Sequence, residues 1–297
     1  MPKISVVLPT YNGIKFIKQS IDSVLNQTFT DFELIIINDC STDGTRELVE
    51  DYARKDARIR VFHNETNLKL PASLNKGFEL AAGEFYTWTS DDNRYEVDAL
   101  EIMAKALDEN PNVGMVYCNC LVIDENDRVV DAWKLSQPTG IRTGNCIGAC
   151  FMYRSEVANK VGKYDTTMFL AEDYDYWLRI YENYQLLHLS NFLYYYREHG
   201  KSLTATKQRE IHAQNARLWM RHMDFLVNDI EKFYELRLLF NTTLEFAAEE
   251  ERTEIYKKLC KYSNKYRMYC WKKRLGRKVR QYLGNNKEKS KAQKGIA

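Results

Sequence analysis

Over the first two hundred positions, short apolar runs alternate with longer stretches whose apolar residues fall at helical spacing. Ile4-Ser5-Val6-Val7-Leu8, closed by Pro9, has the near-continuous hydrophobicity of a strand buried on both faces. Phe16, Ile17, Ile21, Val24 and Leu25 then form one stripe of a helix. A strand from Leu34 to Ile37, a helix from about Thr45 to Lys55 with Ser41 available as its cap, and a strand from Ile59 to Phe62 follow. The pattern continues with a helix over 71–82, a strand over 85–89 and a helix over 97–109 that stops at Asn110-Pro111. Later signals are a strand over 148–153, a helix over 155–161 closed by Gly162, and a helix over 172–184. This alternation predicts an α/β fold: a doubly wound, mostly parallel sheet with helices on both faces.

Beyond Ser202 the strand signals fade, and Glu210 to about Tyr282 reads as helical, without a proline. The expected organisation is an α/β domain over 1–204, a C-terminal helical appendage over 205–284 and a disordered basic tail over 285–297.

Composition adds one asymmetry. The 297 residues, 44% hydrophobic and 28% charged, suit an ordinary globular chain with a large core. The net charge of +2 conceals 15 Lys or Arg against one acid from Lys257 onward, which leaves 28 basic and 40 acidic residues before it. Within that basic stretch Met268, Trp271, Leu275, Val279 and Tyr282 recur at steps of three and four. Such a cationic amphipathic helix suits an anionic membrane surface, its own domain or a second copy of the chain in a homo-oligomer. Nucleic-acid binding has charge but no motif and is not expected. No apolar run approaches membrane-spanning length. Seven cysteines, with no leader ahead of Met1-Pro2-Lys3, fit the reduced thiols of a cytoplasmic protein, peripheral to the membrane at most. Cys118, Cys120, Cys146 and Cys150 lack Cys-x-x-Cys spacing and read as buried apolar side chains rather than zinc ligands.

In sheets of this kind, ligands sit beyond the carboxyl ends of the strands. Three polar clusters fall at those ends: Thr10-Tyr11-Asn12, Asn38-Asp39 and Ser90-Asp91-Asp92. The adjacent carboxylates of Asp91 and Asp92 suit a hard divalent cation that also grips phosphate oxygens; a solvated helix cap is the competing reading. Asp39 can accept the N3–H of a uracil ring on which Tyr11 stacks; the alternative is an Asx turn, the role that suits Asp43-Gly44. Glu172-Asp173 opens a helix, whose dipole keeps a carboxylate ionised, as a general base requires; capping competes here too.

Four segments together, 7–13, 38–45, 83–93 and 172–179, carry a resemblance. Val7-Leu8-Pro9-Thr10-Tyr11-Asn12-Gly13, Asn38-Asp39-Cys40-Ser41-Thr42-Asp43-Gly44-Thr45, the run from Gly83 through Ser90-Asp91-Asp92-Asn93, and Glu172-Asp173-Tyr174-Asp175-Tyr176-Trp177-Leu178-Arg179 resemble family 2 glycosyltransferases of the GT-A fold, over about residues 3 to 204. The resemblance implies an inverting, single-displacement transfer of a sugar from a nucleotide-diphosphate sugar, UDP-sugar favoured by Asp39 and Tyr11. The acceptor would be a saccharide or lipid-linked hydroxyl, in polysaccharide or glycolipid synthesis. Pro9, Thr10, Tyr11 and Asn12 would line the nucleoside pocket, Asp39 would read the base, and Asn67 and Asn75 match polar positions near the nucleotide. Asp91 matches the metal-binding acid for Mn2+ or Mg2+, with Asp92 beside it on the donor, and Asp173 matches the catalytic base. His199 lies in a segment, 196–202, similar to the one that closes over the diphosphate, where it would meet the metal or a phosphate. The chain departs from the pattern at Thr89, where an acid is usual, and at Lys69, where relatives often carry glycine. Two rivals remain. A sugar nucleotidyltransferase would carry a Gly-rich, basic phosphate loop after the first strand, which is missing here. An inactive glycosyltransferase-like recruitment module is disfavoured by the retention of Asp39, Asp91 and Asp173.

Overall fold

The computed structural model describes residues 1–228 together with 245, 252, 253 and 257. The cationic helix, the basic tail and Cys260 and Cys270 lie outside the described residues. The chain divides into two compact units, Met1–Leu218 and Trp219–Ala297.

The strands are β1 (Ile4–Thr10), β2 (Phe32–Asn38), β3 (Ile59–His63), β4 (Phe85–Trp88), β5 (Arg94–Tyr95), β6 (Val113–Ile123), β7 (Val129–Trp133), β8 (Phe151–Arg154) and β9 (Gln185–Arg197). The helices are α1 (Ile17–Leu25), α2 (Thr45–Lys55), α3 (Leu70–Leu80), α4 (Ala99–Glu109), α5 (Ser155–Val161), α6 (Glu172–Tyr181), α7 (Leu203–Thr206), α8 (Gln208–Arg221) and α9 (Met223–Asn228). Each strand and helix expected up to Glu109 forms, with ends shifted by no more than two residues. The long strands β6 and β9 were not foreseen.

One sheet runs in the order β3-β2-β1-β4-β8-β6-β9-β5, with β7 paired to β6. The first four strands are parallel, β8 enters antiparallel to both β4 and β6, and β6 and β9 are parallel again. Helices cover both faces. Ile4, Val6 and Leu8 share one buried cluster with Ile17, Ile21 and Val24 of α1, Val49 of α2 and Met103 of α4. Val7 and Ile37 point the other way, toward α3, where a Cβ on Gly77 would stand 2.4 Å from the Val7 side chain. Only glycine lets α3 approach the sheet this closely.

The start of α2 differs from expectation. Its N-cap is Gly44 at φ 91°, and the Asp43 carboxylate accepts from the Thr45 N–H at 3.1 Å. Ser41 does not cap the helix; its hydroxyl instead accepts the Asn12 N–H at 2.9 Å. The hydroxyl thus ties the loop after β2 to the strand-end loop of β1.

Candidate active site at the carboxyl edge of the sheet

The loops after β1 and β2 are knitted together. Asn12 adopts φ 56°, a conformation asparagine tolerates, and its Oδ1 accepts the Thr42 N–H at 2.8 Å. Asp43 Oδ2 accepts the Ile14 N–H at 3.1 Å. Pro9 is buried within β1 opposite Ile37, whereas Tyr11 is 53% exposed, so its ring is open to a stacking ligand.

Asp91 sits directly against this loop. Thr10 donates its hydroxyl to Asp91 Oδ2 at 2.5 Å, and the Tyr11 N–H also donates to the carboxylate. A Cβ on Gly13 would lie 2.2 Å from Asp91 Oδ2, so this position admits only glycine without displacing the acid. Burial, reinforced by the charge of Asp92, pushes the Asp91 carboxyl up to about 7 against the pull of Thr10 and Tyr11. The turn itself is pinned from beneath: Ser20 Oγ donates to the Ser90 carbonyl at 2.9 Å, and Arg197 Nε donates to the Asp92 carbonyl at 2.8 Å. Arg197 is 1% exposed, and it spends its remaining donors on Asp124, Gln19 and Asp127.

Asp92 and His199 meet across 107 residues of sequence. His199 Nδ1 accepts the Lys201 N–H at 3.3 Å, which leaves Nε2–H to donate to Asp92 Oδ2 at 3.0 Å. The imidazole leans on Phe16 at 5.3 Å between ring centroids. Asp92 Oδ1 is buried with no hydrogen-bond partner, the kind of orphaned acceptor that a cation or a ligand donor satisfies. Among the described residues no three acidic, His or Cys side chains surround a single point. A cation here would have two protein donors at most and would need phosphate or water for the rest.

Asp39 has a different environment. Its Oδ1 accepts from Asn64 Nδ2 and the Leu68 N–H, both at 2.8 Å, and Oδ2 accepts the Lys69 N–H at 2.9 Å. The carboxylate thus holds the loop that leads into α3. Lys69 in that loop takes φ 72° and ψ 166°, a region almost reserved for glycine. Asn67 belongs to the same loop and accepts the Lys69 N–H at 3.1 Å. Asn75 stands apart: both ends of its amide pair with the backbone of Tyr164, at 2.9 and 2.8 Å.

Asp173 lies in the first turn of α6. Its Oδ1 accepts the Tyr174 N–H at 2.7 Å and Oδ2 accepts from Asn145 Nδ2 at 2.9 Å. Burial raises its proton affinity above the ordinary carboxylate value. Beside it, Glu172 is pushed up to about 8, first by burial and then by the charge of Asp173.

The structure therefore joins Thr10, Tyr11, Asp91, Asp92 and His199 in one cluster and Asp39 with Asn67 in an adjoining one, while Asn75 serves a backbone bracket. Arg197, Asn64 and Asn145 were missed. Arg197 had a faint signal, a cation ending the apolar run of β9; Asn64 and Asn145 had none, because their partners are far away in sequence.

Comparison with known proteins agrees with this architecture. The profile of Glycosyl transferase family 2 matches residues 5–162. An uncharacterized glycosyltransferase of Methanocaldococcus jannaschii is 31% identical over 206 residues, covering 66% of this chain and 71% of that protein. The GalNAc(5)-diNAcBac-PP-undecaprenol beta-1,3-glucosyltransferase of Campylobacter jejuni is 36% identical over 129 residues, but the match spans only 43% of this chain and 41% of that enzyme. The crystal structure of S. aureus TarS 1-349 in complex with UDP-GlcNAc superposes with a TM-score of 0.63 at 21% identity, covering 88% of this chain and 80% of that one. At that identity the likeness is one of fold. The chain belongs to glycosyl transferase family 2 and has the GT-A architecture.

Proposed function

We propose that this family 2 glycosyltransferase moves a sugar from a UDP-sugar to an acceptor hydroxyl with inversion at the anomeric carbon. The observation that carries the reading is the double duty of Thr10. Its hydroxyl donates to Asp91 at 2.5 Å and its carbonyl accepts the Asp39 N–H at 2.8 Å, so one residue ties together the two carboxylates that a nucleotide-sugar needs. Asp39 Oδ2 accepts from the Lys69 N–H and keeps an accepting site for a uracil N3–H, with Tyr11 exposed to stack on the ring. UDP-GlcNAc bound to the structurally similar TarS supports a UDP donor.

Asp91 and His199 would hold a divalent cation, Mn2+ or Mg2+, and the orphaned Asp92 Oδ1 is left to accept from the donor. When bound, the cation supplies charge neutralisation to the departing diphosphate. His199 would leave its contact with Asp92 to meet the cation. Asp173 accepts the proton of the attacking hydroxyl, and its two oxygens are aimed by the Tyr174 N–H and the Asn145 amide. A single displacement inverts configuration, so an α-linked donor yields a β-glycoside. The undecaprenol-linked name of the Campylobacter relative supports a lipid-linked saccharide acceptor, as does the basic C-terminal stretch of the sequence, which suits an anionic membrane surface. Asn75, Asn67, Asn12 and Pro9 remain donor-pocket residues in this reading, acting through the loops they brace.

The test is a thermal-shift and calorimetric screen of UDP, GDP and dTDP, each with Mn2+, Mg2+ or EDTA. Stabilisation by UDP that vanishes with EDTA is expected. No response to any nucleotide under any condition overturns the reading.

A further inference from the structure

Asp173 is approached by one neutral side chain, and no lysine or arginine forms an ion pair with it among the described residues. Asn145 lies in the loop that leads to β8, directly after Gly144, with its side chain exposed. Its Oδ1 accepts the Ile147 N–H at 3.2 Å. That bond fixes which way the amide faces, because only the oxygen can accept from a backbone N–H. Nδ2 is thereby turned to Asp173 Oδ2 at 2.9 Å.

The surroundings make this contact consequential. Glu172 precedes Asp173 on the same helix and is 5% exposed, with Oε2 accepting the Leu170 N–H at 2.6 Å. Tyr164, from the segment before α6, and Tyr196, from β9, also lie within electrostatic reach of Asp173. Two neighbouring carboxyls, Glu172 buried and Asp173 half-buried, resist being ionised together, so their hydrogen bonds help decide which one carries the charge. Glu172 is met by backbone N–H groups alone, its own and those of Leu170 and Ala171. Asp173 is met by its own N–H, that of Tyr174 and the Asn145 amide, the one side-chain donor to either carboxyl. A donor to the charged form favours that form, and this side-chain donor acts on Asp173.

We propose that Asn145 is the positioning residue of the proton-accepting carboxylate: it aims Asp173 Oδ2 and keeps Asp173, not Glu172, the ionised member of the pair. This deepens the reading of Asp173 as the base and rests on it. Loop anchoring alone would leave the protonation of Asp173 unchanged when Asn145 is replaced.

The experiment uses the full chain labelled with carboxyl-13C aspartate, with the Asp173 resonance assigned by its loss in Asp173→Asn. In Asn145→Ala the Asp173 titration midpoint moves up by about one pH unit, a roughly tenfold rise in proton affinity. Asn145→Asp, which sets a like charge beside it, moves the midpoint further, and Asn145→Ser, which keeps a donor, moves it less. The acidic limb of UDP release from UDP-GlcNAc, followed with water or p-nitrophenyl glycosides as acceptor, shifts by the same amount. An unchanged midpoint in Asn145→Ala, with a wild-type melting curve, overturns the proposal. Wild-type UDP release by Asp173→Asn would instead defeat the base assignment, and the 13C midpoint would still report whether Asn145 holds Asp173.

Discussion

Thr10 donates its hydroxyl to Asp91 Oδ2 at 2.5 Å, closing a contact between residues 81 positions apart. That bond opposes the burial that raises the Asp91 carboxyl to about 7. Thr10→Val removes it without changing volume much, so the carboxyl titrates higher still and less of it is ionised at neutral pH. A cation binds only the ionised carboxylate. Mn2+-dependent UDP affinity is predicted to fall roughly tenfold at pH 7, the effect of losing one hydrogen bond to a charge, and to recover toward wild type at pH 9. Calorimetry at the two pH values checks this; equal affinities at pH 7 refute it.

Gly13→Ala addresses the same acid by sterics. Its Cβ would fall 2.2 Å from Asp91 Oδ2. The carboxylate must move, so nucleotide stabilisation should be lost while the variant's melting curve stays cooperative. A normal UDP shift in this variant would mean that Asp91 does not need its present position.

Asp173→Asn keeps the shape of the side chain and removes its ability to take a proton. Turnover is predicted to drop about 10²–10⁴-fold, the usual share of a general base, with UDP binding unchanged. Rates and binding are measured on the same preparation, and near-normal turnover would count against the assignment.

Lys69 offers a stability test. Its φ of 72° and ψ of 166° cost about 1–3 kcal/mol for a residue with a Cβ, and Asp39 holds the backbone there through the Lys69 N–H. Lys69→Gly and Lys69→Ala both remove the side chain, but only glycine relieves the backbone. The glycine variant should exceed the alanine variant by about 1 kcal/mol in urea unfolding, after allowance for glycine's greater freedom when unfolded.

Glu172 makes stability depend on pH. Its folded carboxyl is raised from 4.5 to about 8, so the buried neutral form is favourable below 4.5 and the contribution is lost as pH climbs through 8. Glu172→Gln stays neutral at every pH. The variant is predicted to gain melting temperature over wild type at pH 8 and to show little gain at pH 5; equal differences at both would refute the assignment of the proton to Glu172.

The sequence by itself determined the alternating framework. Runs such as Ile4–Leu8 and Leu34–Ile37 are buried on both faces, and that burial shows as hydrophobic continuity, while the helix between them shows its stripe at three and four residues. The polar strand ends, Thr10, Asp39 and Asp91, were legible for the same reason: they interrupt apolar runs where the backbone leaves the sheet. Local patterning could not reveal β9, whose half-buried residues mix apolar and polar positions, nor the way it carries Arg197 beneath Asp92. Likewise, Asp39 was read for its reach toward a base, whereas its carboxylate also holds the backbone of Leu68 and Lys69. Asn75 and Asn145 look alike in sequence, yet one brackets Tyr164 and the other meets Asp173. Such roles are set by partners 28 to 107 residues away, as in Asn145–Asp173 and Asp92–His199. Periodicity reports which face of its own element a residue occupies. Only the folding of distant loops onto one edge of the sheet decides what that face meets and which carboxyl keeps its charge.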